Sequence, residues 1–365
     1  LCDSFHSSML PLLLVSIFLL LPASTKIERK TKYNETLAEM LLHLSAGAYG
    51  EKKEECVKNT FPAGEGRVIY TTTTEECDII DSTCELFIVA SKDVQEMVIV
   101  FRGTKKKTQL LLEGWHSYAE GTEFNGMGKV NGYFANALHS LWKPIYEILN
   151  DPEYKNHSII FTGHSLGGAL ASLAAAKTVK IGIIKGRNVD RPSINSFKRD
   201  REASEIKVYT FGQPRTGSFQ YAKNYDDLGI ETYRIVYSTD IVPHQPPCKK
   251  DKRIPANKYG SESCFAGVLD GYYHHGTEIW YPENMTRGSL YLECLGAPKN
   301  EDFNCSNTQA YDVENKERYI WDHRHYFDVT LSNFGKSGCT NRTKNQEPMK
   351  SKWSKMANLI WSPFG

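Results

Sequence analysis

Apolar positions first take up a helical rhythm after Asn34, where Leu37, Leu41 and Leu44 share one face. The period then shortens. Residues 67–74, 85–90 and 96–101 are rich in β-branched and aromatic side chains and predict three strands, with turn chemistry around Asp78 and Asp81. Residues 130–149 return to helical spacing through Phe134, Leu138, Leu141, Ile145 and Ile148, and Pro144 is expected to kink or divide that helix. From there the pattern alternates: strand at 158–162, helix at 166–179, strand at 205–211, helix at 218–228, then strands at 231–238 and 277–281. Such alternation predicts an α/β protein with a mostly parallel or mixed central sheet and helices on both faces. Residues 182–204 are polar and basic without apolar periodicity and predict a surface insertion. Residues 245–271 and 283–319 are turn-rich and irregular, with two cysteines each. No internal repeat and no linker divides the body.

The most abrupt change of pattern lies at residues 159–172, Ile-Ile-Phe-Thr-Gly-His-Ser-Leu-Gly-Gly-Ala-Leu-Ala-Ser. A β-branched run ends at Gly163-His164-Ser165-Leu166-Gly167, and a small-residue helix follows at once. This is Gly-x-Ser-x-Gly in the strand–turn–helix setting of a nucleophile elbow. Ser165 must sit on a sharp turn to project its oxygen, and Gly163 and Gly167 flank it because strand and helix pass too closely for a β-carbon. The helix begins beside the serine, so its free N–H groups face the charge that develops during acyl transfer. The backbone N–H of Leu166 is the expected oxyanion donor. A serine nucleophile needs a base and an orienting acid, in the chain order Ser, Asp or Glu, His for α/β-hydrolases. Asp240 lies just beyond the strand at 231–238, where such sheets carry functional loops, but position alone also fits an exposed turn residue. Five histidines follow it: His244, His274, His275, His323 and His325. The residues alone do not choose among them, although His244 reads as a loop histidine. His164 reads as a hydrogen-bonding support for the elbow.

Four segments in order resemble the class 3 lipases, the fungal-type triacylglycerol lipases. They are the elbow with Gly168-Ala169-Leu170, the strand Val98-Ile99-Val100-Phe101-Arg102-Gly103-Thr104, the loop Ser238-Thr239-Asp240-Ile241-Val242-Pro243-His244, and Asp322-His323-Arg324-His325-Tyr326-Phe327. Together they span nearly all of the chain after residue 34, and the details resemble a secreted, nematode-like branch. The resemblance implies an α/β-hydrolase fold with Ser165 as nucleophile, Asp240 as acid and His323 as base. It also implies Thr104 as the second oxyanion donor; Arg102 is family-like too and reads as structural. Residues 105–115 occupy the position of the family's lid, with Leu110, Leu111 and Leu112 as its apolar stretch; Leu110 stands where many relatives have Trp. A buried helical turn is the other reading of those leucines.

The implied activity is hydrolysis of fatty-acid esters, with acylglycerols as the expected substrates, at a lipid–water interface, with no metal and no organic cofactor. The same scaffold serves phospholipase A1 and feruloyl esterase activities, and a non-catalytic lipid-binding protein is the rival from another class.

Composition adds a compartment. The chain has 365 residues, 40% hydrophobic and 24% charged, with a net charge of +1, so nothing points to nucleic acid. Residue 1 is Leu and the first methionine is Met9. The apolar run from Met9 to Ser24 reads as a signal peptide without the usual basic start, cleaved near residues 23–25. It is short for a transmembrane anchor. Residues 1–24 are therefore expected to be upstream residues plus leader, with translation starting at Met9, and 25–365 one hydrolase domain. Without Cys2, eight cysteines remain, an even set that reads as disulfides in an exported chain. The family-like ending Phe334-Gly335-Lys336-Ser337-Gly338-Cys339 implies a bridge from Cys339 to Cys56. Cys77 and Cys84 share one inter-strand loop, and Cys248 with Cys264 and Cys294 with Cys305 are each expected to close one irregular insertion. Glycosylation sequons begin at Asn34, Asn156, Asn284, Asn304 and Asn341.

Overall fold

A computed structural model describes residues 30–77, 83–104, 121–186, 202–312 and 314–342. The chain divides into two units, Leu1–Lys32 and Tyr33–Gly365, and the second holds everything below. The leader segment, the turn around Asp78 and Asp81 and the lid segment with Leu110, Leu111 and Leu112 lie outside the described residues.

The main sheet has eight strands: β1 Val68–Glu76, β2 Thr83–Ser91, β3 Glu96–Phe101, β4 Ser158–His164, β5 Ile206–Phe211, β6 Glu231–Tyr237, β7 Thr277–Tyr281 and β8 Leu292–Cys294. They stand side by side in chain order. Strands β3 to β7 run parallel, while β1, β2 and β8 are attached antiparallel. Parallel strands laid down in order, with crossovers of one hand, put their connecting helices on one face. The helices α3 Gly132–Asn150, α4 Leu166–Gly186 and α5 Phe219–Asp226 lie there, burying Phe134, Leu138, Leu170, Leu173 and Tyr221 against Ile99, Phe101, Ile159 and Phe161. The other face needs cover from outside the run of strands. It comes from α1 Glu35–Gly47 and α2 Lys53–Thr60, which precede the sheet, and α7 Leu331–Lys336, which follows it. These bury Leu41, Leu44, Val57 and Phe334 against Val98, Val100, Ile160 and Ile235. The period-two alternation along each strand thus feeds two cores.

Asn34 caps α1 by accepting from the Leu37 N–H, as Asn131 caps α3 by accepting from Tyr133 and Phe134. Pro144 does not divide α3, which runs unbroken through it with Pro144 buried. An interior proline costs about 3 kcal/mol. Burying Phe134, Leu138, Leu141, Ile145 and Ile148 offsets that cost, at about 1.5–3 kcal/mol for each large side chain. Helix α4 continues to Gly186, into the stretch expected to be insertion, whose remainder at 187–201 lies outside the described residues. The stretch 283–319 is not wholly irregular: it contains β8 and the start of α6, Lys316–Arg324.

Four disulfides join Cys56 to Cys339, Cys77 to Cys84, Cys248 to Cys264 and Cys294 to Cys305, the pairing expected. The first ties α2 to Cys339, three residues beyond the end of α7, across 283 positions of sequence.

Candidate active site

The candidate residues gather at the carboxyl ends of the parallel strands, where open α/β sheets bind ligands. Strand β4 ends at His164, α4 begins at Leu166, and Ser165 sits between them with a φ of +60°. That left-handed turn is costly for a side-chain-bearing residue and is held by its surroundings. The Ser165 N–H donates to the Phe211 carbonyl at the end of β5, 2.8 Å away. A β-carbon on Gly163 would lie 2.4 Å from the Gly167 carbonyl carbon, and one on Gly167 would lie 2.2 Å from the Phe101 oxygen. Both glycines are therefore required by the passage of α4 over β3 and β4.

Asp240 follows β6 by three residues and is fully buried. Its Oδ2 lies 2.9 Å from His323 Nδ1 and accepts the Tyr326 hydroxyl at 2.6 Å, and its Oδ1 accepts the Val242 N–H at 2.9 Å. A carboxylate can only accept, so His323 carries its proton on Nδ1 and leaves Nε2 as the basic nitrogen. Burial, with the Asp240 charge next in weight, keeps the Tyr326 phenol far above its ordinary range, so it stays a donor.

His323, Ser165 and Thr104 line one cavity of about 900 Å³, together with Tyr49, Trp321 and Leu331. Among the described residues neither the Ser165 hydroxyl nor the Thr104 hydroxyl has a hydrogen-bond partner. Two buried hydroxyls facing one cavity in this way are free to meet an incoming group. Leu166 is buried at the first turn of α4, where backbone N–H groups lack helical acceptors. Arg102 turns away from the cavity into a buried ion pair with Glu85, which also holds Lys53.

The remaining histidines are occupied elsewhere. His164 Nε2 donates to the His323 carbonyl at 2.7 Å, and its Nδ1 accepts from the Tyr49 hydroxyl at 2.9 Å. Burial, and then the neighbouring His323, keep His164 well below the usual imidazole range and so uncharged. His325 lies flat on Trp321, 3.8 Å between ring centroids, and its Nδ1 donates to the Trp321 carbonyl. His274 donates to the Pro243 carbonyl, His275 packs 4.0 Å from the Tyr225 ring, and His244 packs against Tyr311. Of the five histidines after Asp240, His323 is the one bonded to it.

Tyr49 and Tyr326 carry positioning contacts that the sequence reading assigned to no role. Tyr326 stood within the histidine segment, three residues after His323, so a signal for it existed. Tyr49 comes from the turn after α1, far from every motif, and only the fold brings it near. Among the described residues, Glu278, Cys294 and Cys305 group metal-ligating atom types, but both cysteines are consumed by their disulfide. No described helix is long and apolar enough to cross a membrane.

Comparison with known proteins gives a consistent set of likenesses. The family model described as Lipase (class 3) matches residues 98–250. A lipase of Caenorhabditis elegans is 40% identical over 337 residues, covering 92% of this chain and 90% of the relative. Among solved structures, a lipase from Rhizopus microsporus var. chinensis superposes with a TM-score of 0.60 at 22% identity, covering 83% of this chain and 90% of that one. The triacylglyceride lipase of Rhizomucor miehei superposes with a TM-score of 0.57 at 21% identity, covering 85% and 98%. The shared fold is the α/β-hydrolase fold.

Proposed function

The chain belongs to the class 3 lipases, and from that premise we propose that it is a secreted lipase that cleaves acylglycerols through Ser165, His323 and Asp240. Its reaction class is carboxylic ester hydrolysis. The observation that carries the residue assignment is the Asp240–His323 bond of 2.9 Å, made in the cavity that Ser165 enters from its left-handed elbow. In this reading His323 Nε2 takes the proton of the Ser165 hydroxyl as its oxygen attacks the ester carbonyl. Asp240 keeps the imidazole in the required tautomer and stabilises its cation, and Tyr326 and the Val242 N–H hold Asp240. The oxyanion is met by the N–H of Leu166 and by Thr104. The protonated His323 then hands its proton to the leaving alcohol, and water, activated by the same nitrogen, releases the fatty acid from Ser165. The Ser165–His323 bond is expected to form as substrate settles, since such contacts tighten in the bound complex.

Acylglycerol is favoured because a structural neighbour is a triacylglyceride lipase and the cavity wall includes Ile320, Trp321 and Leu331. Export is supported by the four disulfides, by the leader-like pattern at 9–24 and by the exposure of all five sequon asparagines. Residues 1–24 are then leader and upstream sequence, and 25–365 one hydrolase domain. The lid role of Leu110, Leu111 and Leu112 belongs to the same proposal and predicts faster hydrolysis once substrate forms an interface. The test is a fluorophosphonate probe with peptide mapping, beside a panel of triglyceride, phospholipid and feruloyl esters. Label on Ser165 and preference for triglyceride are expected. Label elsewhere removes the nucleophile assignment, and preference for another ester removes the substrate.

A further inference from the structure

Beside the Asp240–His323 pair lies a second bonded pair that the reaction does not use. Asp322 is fully buried. Its Oδ2 accepts from the Thr239 N–H at 3.0 Å and from the Thr239 hydroxyl at 2.6 Å. Its Oδ1 lies 3.0 Å from Arg318 Nε, one turn earlier on α6. Thr239 and Asp240 are successive residues of the loop after β6, and Asp322 and His323 are successive residues of α6. Two side-by-side contacts therefore join the same two segments, one between the pair assigned to catalysis and one between their preceding neighbours. The loop needs such a hold: Ser238 enters it with a φ of +44°, a conformation costly for serine.

The second contact is sensitive to protons. Burial pushes the Asp322 carboxyl up to about 6, against the opposing pull of Arg318 and of both Thr239 donors, while the Asp240 charge adds to the rise. The ionisable groups around it are Arg318 and His323 on α6, Asp240 on the facing loop, and Tyr311 and Tyr326 on the segments before and after that helix. A carboxyl raised in the folded state favours folding most below its ordinary range, and that benefit is lost as pH rises through about 6. Above that pH the ionised Asp322 is a burden on stability, so a stabilising role at neutral pH does not explain it.

We propose that Asp322 is a positioning residue for ester hydrolysis, whose ionised carboxylate clamps the loop presenting Asp240 to the helix presenting His323, and whose protonation slackens that clamp. A neutral acid loses its attraction for Arg318, and the bonds from Thr239 lose the strengthening that charge confers. The inference rests on the roles proposed above for Asp240 and His323.

The test follows kcat and KM for a soluble short-chain ester from pH 5 to 8.5, with thermal melts, for the full chain and its Asp322→Asn and Thr239→Val variants. Asparagine keeps an acceptor for Thr239 but cannot ionise. At pH 8 Asp322→Asn should lower kcat roughly tenfold, with KM nearly unchanged and a melting temperature no lower than wild type. The gap should close towards pH 5, where the wild-type carboxyl is itself protonated. Thr239→Val removes a bond that favours the carboxylate, so its loss of activity should begin at higher pH than in wild type. A wild-type to Asp322→Asn ratio that stays constant with pH, or equals one throughout, overturns the inference. Should Asp322→Asn fail to fold, an unshifted Thr239→Val profile overturns it and a shifted one supports it. Ser165→Ala separates this from the parent reading: an active Ser165→Ala removes the triad, whereas an inert one beside a flat ratio removes only the clamp.

Discussion

At the scale of single residues, the Asp240 carboxylate collects three donors, and each deletion has a different expected cost. Removing the imidazole by His323→Ala should abolish ester hydrolysis, whereas His275→Ala and His325→Ala should leave kcat within about tenfold of wild type, since neither touches Asp240. Rates measured on purified, folded variants decide this, and an active His323→Ala beside an inert His275→Ala would reverse the assignment. Tyr326→Phe removes one bond of 2.6 Å to Asp240 and should cost kcat roughly five- to thirtyfold at nearly constant KM. A rise in KM alone would mean that Tyr326 acts on substrate binding instead. The elbow was legible in the sequence because its chemistry demands two glycines and a serine at fixed spacing. The base was legible only through the family resemblance of the segment around His323. Composition left five histidines, and what separates His323 from His275 physically is that α6 brings it against Asp240, a property of tertiary structure. Asp322 and Thr239 lie inside the family-like segments 322–327 and 238–244, yet nothing in one dimension shows that their side chains meet.

At the scale of elements, the long periodic segments were legible and the short polar ones were not. Helix α2 offers only Cys56 and Val57 to the apolar core, and α6 buries Tyr319 beside the polar Asp322 and His323. Such helices are stabilised by partners distant in sequence, so hydrophobic periodicity is silent about them. Strand β8 is three residues long and rests on the Cys294–Cys305 bridge more than on its pattern. The Cys56–Cys339 disulfide ties such partners together. It anchors Cys339, three residues beyond α7, to α2, while Leu331 and Lys336 of α7 line the cavity. Replacing both cysteines with serine should lower unfolding free energy by about 2–5 kcal/mol, read as a shift in urea midpoint. An unchanged midpoint would mean that packing alone docks α7.

At the scale of the whole molecule, buried imidazoles set the response to acid. Burial brings His43 down to about 4 and both His244 and His275 to about 3. Unfolded, each takes up a proton as pH falls through about 6.5. Folded, each resists until far lower, so the unfolded state binds more protons in that window and stability falls with pH. Asp322 acts in the opposite sense between about 4 and 6, and Glu278, its carboxyl also raised by burial, shares that direction, but the buried imidazoles outnumber them. The urea midpoint should therefore hold above pH 7 and decline from about pH 6.5 to 4, by up to about 1.4 kcal/mol per pH unit for each uncompensated group. A midpoint flat across that interval would show that these imidazoles are charged or exposed. The order of the strands carries a consequence for how the protein is made. Because β1 to β8 stand in chain order, a chain emerging from the ribosome can lay each strand against one already in place. The serine elbow can thus be assembled midway through synthesis, but the helix that brings His323 arrives after the last strand of the main sheet. With Ser165 and His323 in the roles proposed above, an unfinished chain would hold the nucleophile without its base, and ester cleavage would wait for the finished protein.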